Sequence, residues 1–346
     1  VLKLLIYDKI KKSYKLVIPF FLAFILLFFA FKGIDINELL KNISQISIFY
    51  FILLIFFTIT SHYIRSLRLK IIINGNKNIS SFILFKSLLI GYAFNCIIPR
   101  SGEITRAIVT GIETKTPKSF LLGSIILERI LDMIFFIISI IIAGMILGNN
   151  LFNYIPSLKY GLLITISIIL TLNFLIFYLT KNAKSKEKII SIFNIIKNDN
   201  LRIKFIESFD KIILGYSSVK SLKQFMIIVF LSLMLMLNYG FNSLIGFWML
   251  NNFSLSYFDA FAIMSIGAIG IFIPTPGGFG SFHIITNNVL IYSYKFDLTT
   301  ASSYSFLMHI TGYFIQIFLG IVFYLQFHFK YKDITLKELF GMSFKK

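Results

Sequence analysis

Glu128, Arg129 and Asp132 stand inside one long apolar run, 119–147, and are the residues of this chain best placed to do chemistry. Counted from Pro117 at the rise of an α-helix, Glu128 falls roughly 16 Å and Asp132 roughly 22 Å into that run. An ionised side chain at such a depth in hydrocarbon costs at least ~2.5–3.5 kcal/mol on insertion scales, so partners or water must be present. Glu128 and Asp132 are four residues apart and share a helix face, while Arg129 and Asp132 are three apart and can pair. Two uses are open to such a group. It can be an ionic knot that holds helices together, or it can also line the path of a charged ligand.

A second set of ionic residues lies beside a break. Ile97-Ile98-Pro99-Arg100-Ser101-Gly102-Glu103 and Phe272-Ile273-Pro274-Thr275-Pro276-Gly277-Gly278 each interrupt a hydrophobic stretch with Pro and Gly. Broken backbone survives in a bilayer only when buried in protein or lining a polar cavity. A pair of such breaks, one in each half of a chain, points to a transporter-type binding site. Arg100, Glu103 and Arg106 flank the first break. A helix restarting there with Ser101 as N-cap directs free N–H groups and a positive dipole end inward. The turn Pro274, Pro276, Gly277, Gly278 and Gly280 can do the same from the other side, since glycine lets amides approach a ligand closely. With Arg100 and Arg129 this makes an anion site, suited to phosphate or carboxylate. The plainer alternative is that Glu103 and the arginines satisfy one another and the glycines only permit tight packing. Arg65 and Arg68 end an apolar run and read as headgroup anchors. His283 and His309 read as hydrogen-bonded packing residues. No spacing suits a metal, and no cofactor is expected.

The elements that must hold these residues are apolar helices. Of the 346 residues 57% are hydrophobic and 41 are Phe, with runs at 16–31, 48–64, 80–98, 119–147, 158–179, 225–250, 257–273, 281–294 and 301–326. This is the composition of an all-α polytopic membrane protein. The first run lacks a small-residue cleavage site and reads as a retained anchor. The net charge of +19 does not indicate nucleic acid, because the excess sits in short loops between apolar runs, where it orients helices and meets anionic headgroups. Cys96 is the only cysteine, so no disulfide forms within the chain. If 80–98 crosses fully, the strongly basic 181–224 segment falls outside. If 80–113 enters and returns, every basic loop lies inside, with both termini cytoplasmic. The second pattern gives about six full spans and two re-entrant or broken-helix hairpins. They are arranged span–hairpin–span in 48–147 and again in 225–326, with opposite orientation, a possible inverted repeat. The 181–224 segment sets Ile203, Phe205, Ile206 and Phe209 among lysines and suits either amphipathic helices on the inner leaflet or a linker docked on the bundle. No P-loop, dinucleotide fingerprint or nucleophile elbow occurs, so no enzyme activity is expected.

At these residues the chain resembles the flippase-like membrane domain of lysylphosphatidylglycerol synthases and its stand-alone relatives. The matching pieces are Ile64-Arg65-Ser66-Leu67-Arg68, Ile98-Pro99-Arg100-Ser101-Gly102-Glu103-Ile104-Thr105-Arg106, Leu127-Glu128-Arg129-Ile130-Leu131-Asp132 and Pro274-Thr275-Pro276-Gly277-Gly278-Phe279-Gly280. The resemblance implies a translocator of anionic, aminoacylated or glycosylated lipid in the cytoplasmic membrane. The implied partners are membrane lipids, with a homo-oligomer or a lipid-synthesising enzyme as further ones. The soluble synthase domain of better-known members has no counterpart here, so lysyl-lipid synthesis does not carry over. A lipid-modifying enzyme or glycosyltransferase, and a secondary transporter of a small anion, are the alternatives.

Overall fold

The computed structural model describes residues 21–73, 79–97, 101–148, 167, 171, 191, 199–273, 275–332, 334 and 339. Among these every regular element is helical. After α1 (Phe21–Phe31) and α2 (Ile36–Ser44) come α3 (Ile48–Ile73), α4 (Ser81–Ile97), α5 (Gly102–Thr114), α6 (Lys118–Leu147) and α7 (Asp199–Tyr216). They are followed by α8 (Leu222–Met249), α9 (Tyr257–Gly267), α10 (Ser281–Tyr294) and α11 (Leu298–Lys330). Two short 3₁₀ turns, Ala268–Phe272 and Pro276–Gly278, separate α9 from α10. Four helices, α3, α6, α8 and α11, are long and apolar enough to cross a membrane. Of the expected spans, 16–31 is described from Phe21 onward as α1, while 158–179 lies outside the described residues except at 167 and 171. Large rings point outward on several helices, with Phe24 69%, Phe49 69% and Phe314 66% exposed. Such surfaces belong in lipid, since water does not tolerate contiguous apolar faces of this size. The chain is a multi-pass membrane protein.

Local sequence explains where the helices start and stop. Ser221 caps α8 by accepting the Gln224 N–H, Ser256 caps α9 through Asp259, and Asp297 caps α11 through Thr300. The reading that ended a run at residue 64 is too short. α3 continues through Arg65 and Arg68 to Ile73, because both arginines find buried partners and both are good helix formers.

The packing repeats itself. Helices α3, α4, α5 and α6 begin at 48, 81, 102 and 118, and α8, α9, α10 and α11 at 222, 257, 281 and 298, which are offsets of 174, 176, 179 and 180. Exchanging the two sets turns α4 against α11 into α9 against α6, and α3 against α11 into α8 against α6; each of these contacts is present. The corner from α5 to α6 and the corner from α10 to α11 each open with a lysine in the left-handed region, Lys115 (φ 55) and Lys295 (φ 59). Helices α3 and α8 pack antiparallel over their whole length: Ser47 N–H donates to Met249 O (3.0 Å), Asn242 Nδ2 to Thr58 Oγ1 (3.1 Å), and Arg68 Nη1 to Ser232 Oγ (3.1 Å).

Helix α7 docks on α6, as a linker held against the bundle does. The crossing is backbone to backbone. A Cβ on Gly123 would sit 2.1 Å from Ile212 O, and one on Gly215 2.1 Å from Phe120 O. Gly123→Leu should therefore push α7 away at a cost of about 1–3 kcal/mol. Hydrogen exchange of the 201–214 amides should speed up selectively, and unchanged protection there would show that the crossing does not hold the helix.

Candidate functional site

The ionic residues of three helices, α3, α5 and α6, converge. Asp132 on α6 accepts from Arg65 and Arg68 on α3, which grip it from either side, and from Arg129 Nη1 at 3.2 Å. Glu128, one turn earlier and fully buried, takes Arg106 Nη2 of α5 at 2.9 Å, with Arg68 and Arg65 at 3.5 and 3.9 Å. Arg129 reaches Glu103 of α5 at 3.4 Å. The i,i+4 spacing puts both α6 carboxylates on one face, and the arginines arrive from α3 and α5 because those helices pack against it. Among the described residues the cluster holds four guanidiniums and three carboxylates.

One side of the cluster opens into a cavity of about 300 Å³. At one end lie Arg65, Arg68, Arg129, Asp132 and Tyr239, whose hydroxyl accepts from Arg65 Nη2 at 2.9 Å. Its walls are Met133, Phe135, Phe136, Leu235, Met236, Met264, Ala268 and Ile271. Ala268 and Ile271 belong to the 3₁₀ segment of the second break, and Glu103, paired with Arg129, starts the helix after the first. The second interruption therefore adjoins the arginine cavity, and the first reaches it only through the pair of Glu103 with Arg129.

The structure gathers Glu103, Arg106, Glu128, Arg129 and Asp132, of which Arg129 and Asp132 face the cavity and Arg106 and Glu128 lie buried behind them. Arg100 and Pro274 fall outside the described residues. Arg65 and Arg68 are not surface anchors. They are 9% and 1% exposed and sit at the centre of the cluster, because Asp132 supplies a counter-charge that the end of an apolar run does not reveal. Ser101 does not cap α5 with its side chain; it donates to Phe94 O, and the Gly102 N–H goes to Asn95 Oδ1 at 2.6 Å.

The glycines of the second turn have close protein neighbours. Gly277 lies under Tyr313, and Gly280 (φ 82) lies against Leu26 and Leu27 of α1. Pro276 lines a separate apolar cavity of about 530 Å³ with Cys96, Phe279 and Tyr313. His309 shares a hydrogen bond with Gly277 O through Nε2 (3.0 Å), its ring 4.8 Å from that of His283. Sequence reasoning missed Tyr239, Ser232 and Asn95, which are ordinary residues in apolar runs; the polar groups at 232, 238 and 239 were the available signal. Among the described residues no three His, Cys, Asp or Glu are placed to hold a metal ion.

Two interrupted helix pairs and a buried arginine–carboxylate cluster in a multi-pass helical protein define a class of helical membrane domain. The sequence model of one such family, the lysylphosphatidylglycerol synthase TM region, matches residues 16–320, and the chain belongs to that family. No curated protein and no solved structure matches it.

Proposed function

We propose that this protein moves a lipid headgroup across the cytoplasmic membrane, holding it in the arginine-lined cavity while the acyl chains stay in the bilayer. The observation that carries this reading is the two-sided lining of the cavity. Arg65, Arg68, Arg129 and Tyr239 make an end suited to an anion, and Met133, Phe136, Leu235, Met236 and Met264 make a wall suited to hydrocarbon. An amphiphile matches both, whereas a small soluble anion leaves the wall unused. Family membership supports a role in lipid handling.

In this reading the chain has about six spans and two hairpins, with basic segments and both termini on the cytoplasmic side. The units 48–147 and 225–326 form an inverted repeat, for which the antiparallel α3–α8 contact is the physical support. Membrane lipids are the partners, with a second copy of the chain or a lipid-synthesising enzyme as further ones. The chain makes no covalent change to its ligand.

Reconstitution into liposomes with reporter lipids tests this. Wild-type protein should speed transbilayer movement by at least about tenfold, equivalent to lowering the barrier by ~1.4 kcal/mol. Arg129→Ala should return it to background, because Arg129 is the most accessible arginine of the cluster, at 28% exposed. Background movement with the wild type across a broad headgroup panel ends the reading.

A further inference from the structure

Resting on the reading above, we propose that the lipid carries one phosphodiester anion and no headgroup ammonium, so that the aminoacylated lipid after which the family is named is not what this cavity selects.

The argument is one of charge and hydrogen-bond supply. Asp132 is the one carboxylate among the described residues lining the cavity, and both of its oxygens are engaged: Oδ1 by Arg68, Oδ2 by Arg65 and Arg129. An ammonium entering there meets three guanidiniums and no free carboxylate, and like charges brought together in a poorly screened site are strongly disfavoured. The cluster is also rich in donors. Of the arginines that line the cavity, the Nε atoms of Arg65, Arg68 and Arg129 are buried without a hydrogen-bond acceptor, Arg129 Nε lying 3.4 Å from Glu103. Glu128 Oε1 and Glu103 Oε2 likewise make no hydrogen bond, yet neither residue lines the cavity. Four guanidiniums against three carboxylates leave one positive charge among the described residues. A phosphodiester brings one negative charge and acceptor oxygens that arginine engages with two parallel bonds. The apolar wall favours a lipid over a free phosphodiester, since only a lipid places hydrocarbon beside Met133 and Phe136.

The test is competitive lipid binding to the purified full chain, read by native mass spectrometry. Phosphatidylglycerol, phosphatidylethanolamine and lysylphosphatidylglycerol with matched tails are offered together. Phosphatidylglycerol should be held at least about tenfold more tightly than the other two, and Arg129→Gln should abolish the difference. Glu103→Gln removes one carboxylate from behind Arg129 and should shift the preference toward phosphatidic acid, a headgroup of higher negative charge; a merely structural role for Glu103 predicts no such shift. Soluble glycerophosphoglycerol should fail to compete.

Equal or stronger binding of lysylphosphatidylglycerol or phosphatidylethanolamine overturns the proposal, as does the absence of any headgroup preference. Effective competition by the soluble diester overturns the lipid as its source. Selective binding without movement in liposomes leaves this inference standing and removes the translocator reading, so the two fail separately.

Discussion

Glu128→Ala is expected to remove about 3–5 kcal/mol of stability, the usual cost of deleting one partner from a buried ion pair. Glu128 is fully buried, and the substitution strips Arg106 of its 2.9 Å partner and Arg68 of its second carboxylate. Both arginines are 1% exposed and cannot turn out to water. A folded domain commonly holds only about 5–15 kcal/mol in total, so much of the protein should fail to assemble. The companion Arg106→Met/Glu128→Met removes one charge of each sign and keeps the volume apolar, and it should recover most of the loss, as replaced buried pairs commonly do. Thermal unfolding of the purified proteins in one detergent, followed through the helical circular dichroism signal, gives both numbers. A single mutant as stable as the wild type would mean that water, and not Glu128, compensates these arginines.

Gly277→Ala should be nearly as damaging although it adds one methyl group. The residue sits at φ 59, where a Cβ costs about 1–2 kcal/mol. That Cβ would lie 1.2 Å from the Tyr313 hydroxyl, and the overpacking adds about 1–3 kcal/mol. Tyr313 also lines one apolar cavity with Cys96, in the last turn of α4 ahead of the first break, so displacing it disturbs both interruptions together. Tyr313→Ala placed on the Gly277→Ala background should relieve the overlap and leave the backbone cost. The same unfolding measurement separates the two parts, and an unaltered transition in Gly277→Ala would show that the turn relaxes without strain.

Much of this site could be read in the sequence, for a simple reason. Glu128, Arg129 and Asp132 interrupt an apolar run where nothing but a function or a partner justifies them, and Pro and Gly mark interruptions whatever surrounds them. What could not be read depends on tertiary contact. Arg65 and Arg68 look like the end of a span because Asp132 is more than 60 residues away in the chain. Their helix runs on because it carries its counter-charge on another helix. Tyr239 and Ser232 are unexceptional in composition and gain meaning only where α8 lies beside α3. The Asn95 cap is hidden for the same reason, since it reaches forward across the break to Gly102. The turn glycines were legible as a turn, but their packing under Tyr313 and against α1 was not, because those neighbours come from helices that the motif does not contain.

The antiparallel contact of α3 with α8 has a further consequence. In the inverted repeat proposed above it is the seam where each half meets its own counterpart, so it would keep the same neighbours whichever half tipped toward one face of the membrane. A rocking of the halves would turn about that seam as about an axle. Arg65 and Arg68 project from it, and the charge they carry would stay put while the walls of the cavity change around it.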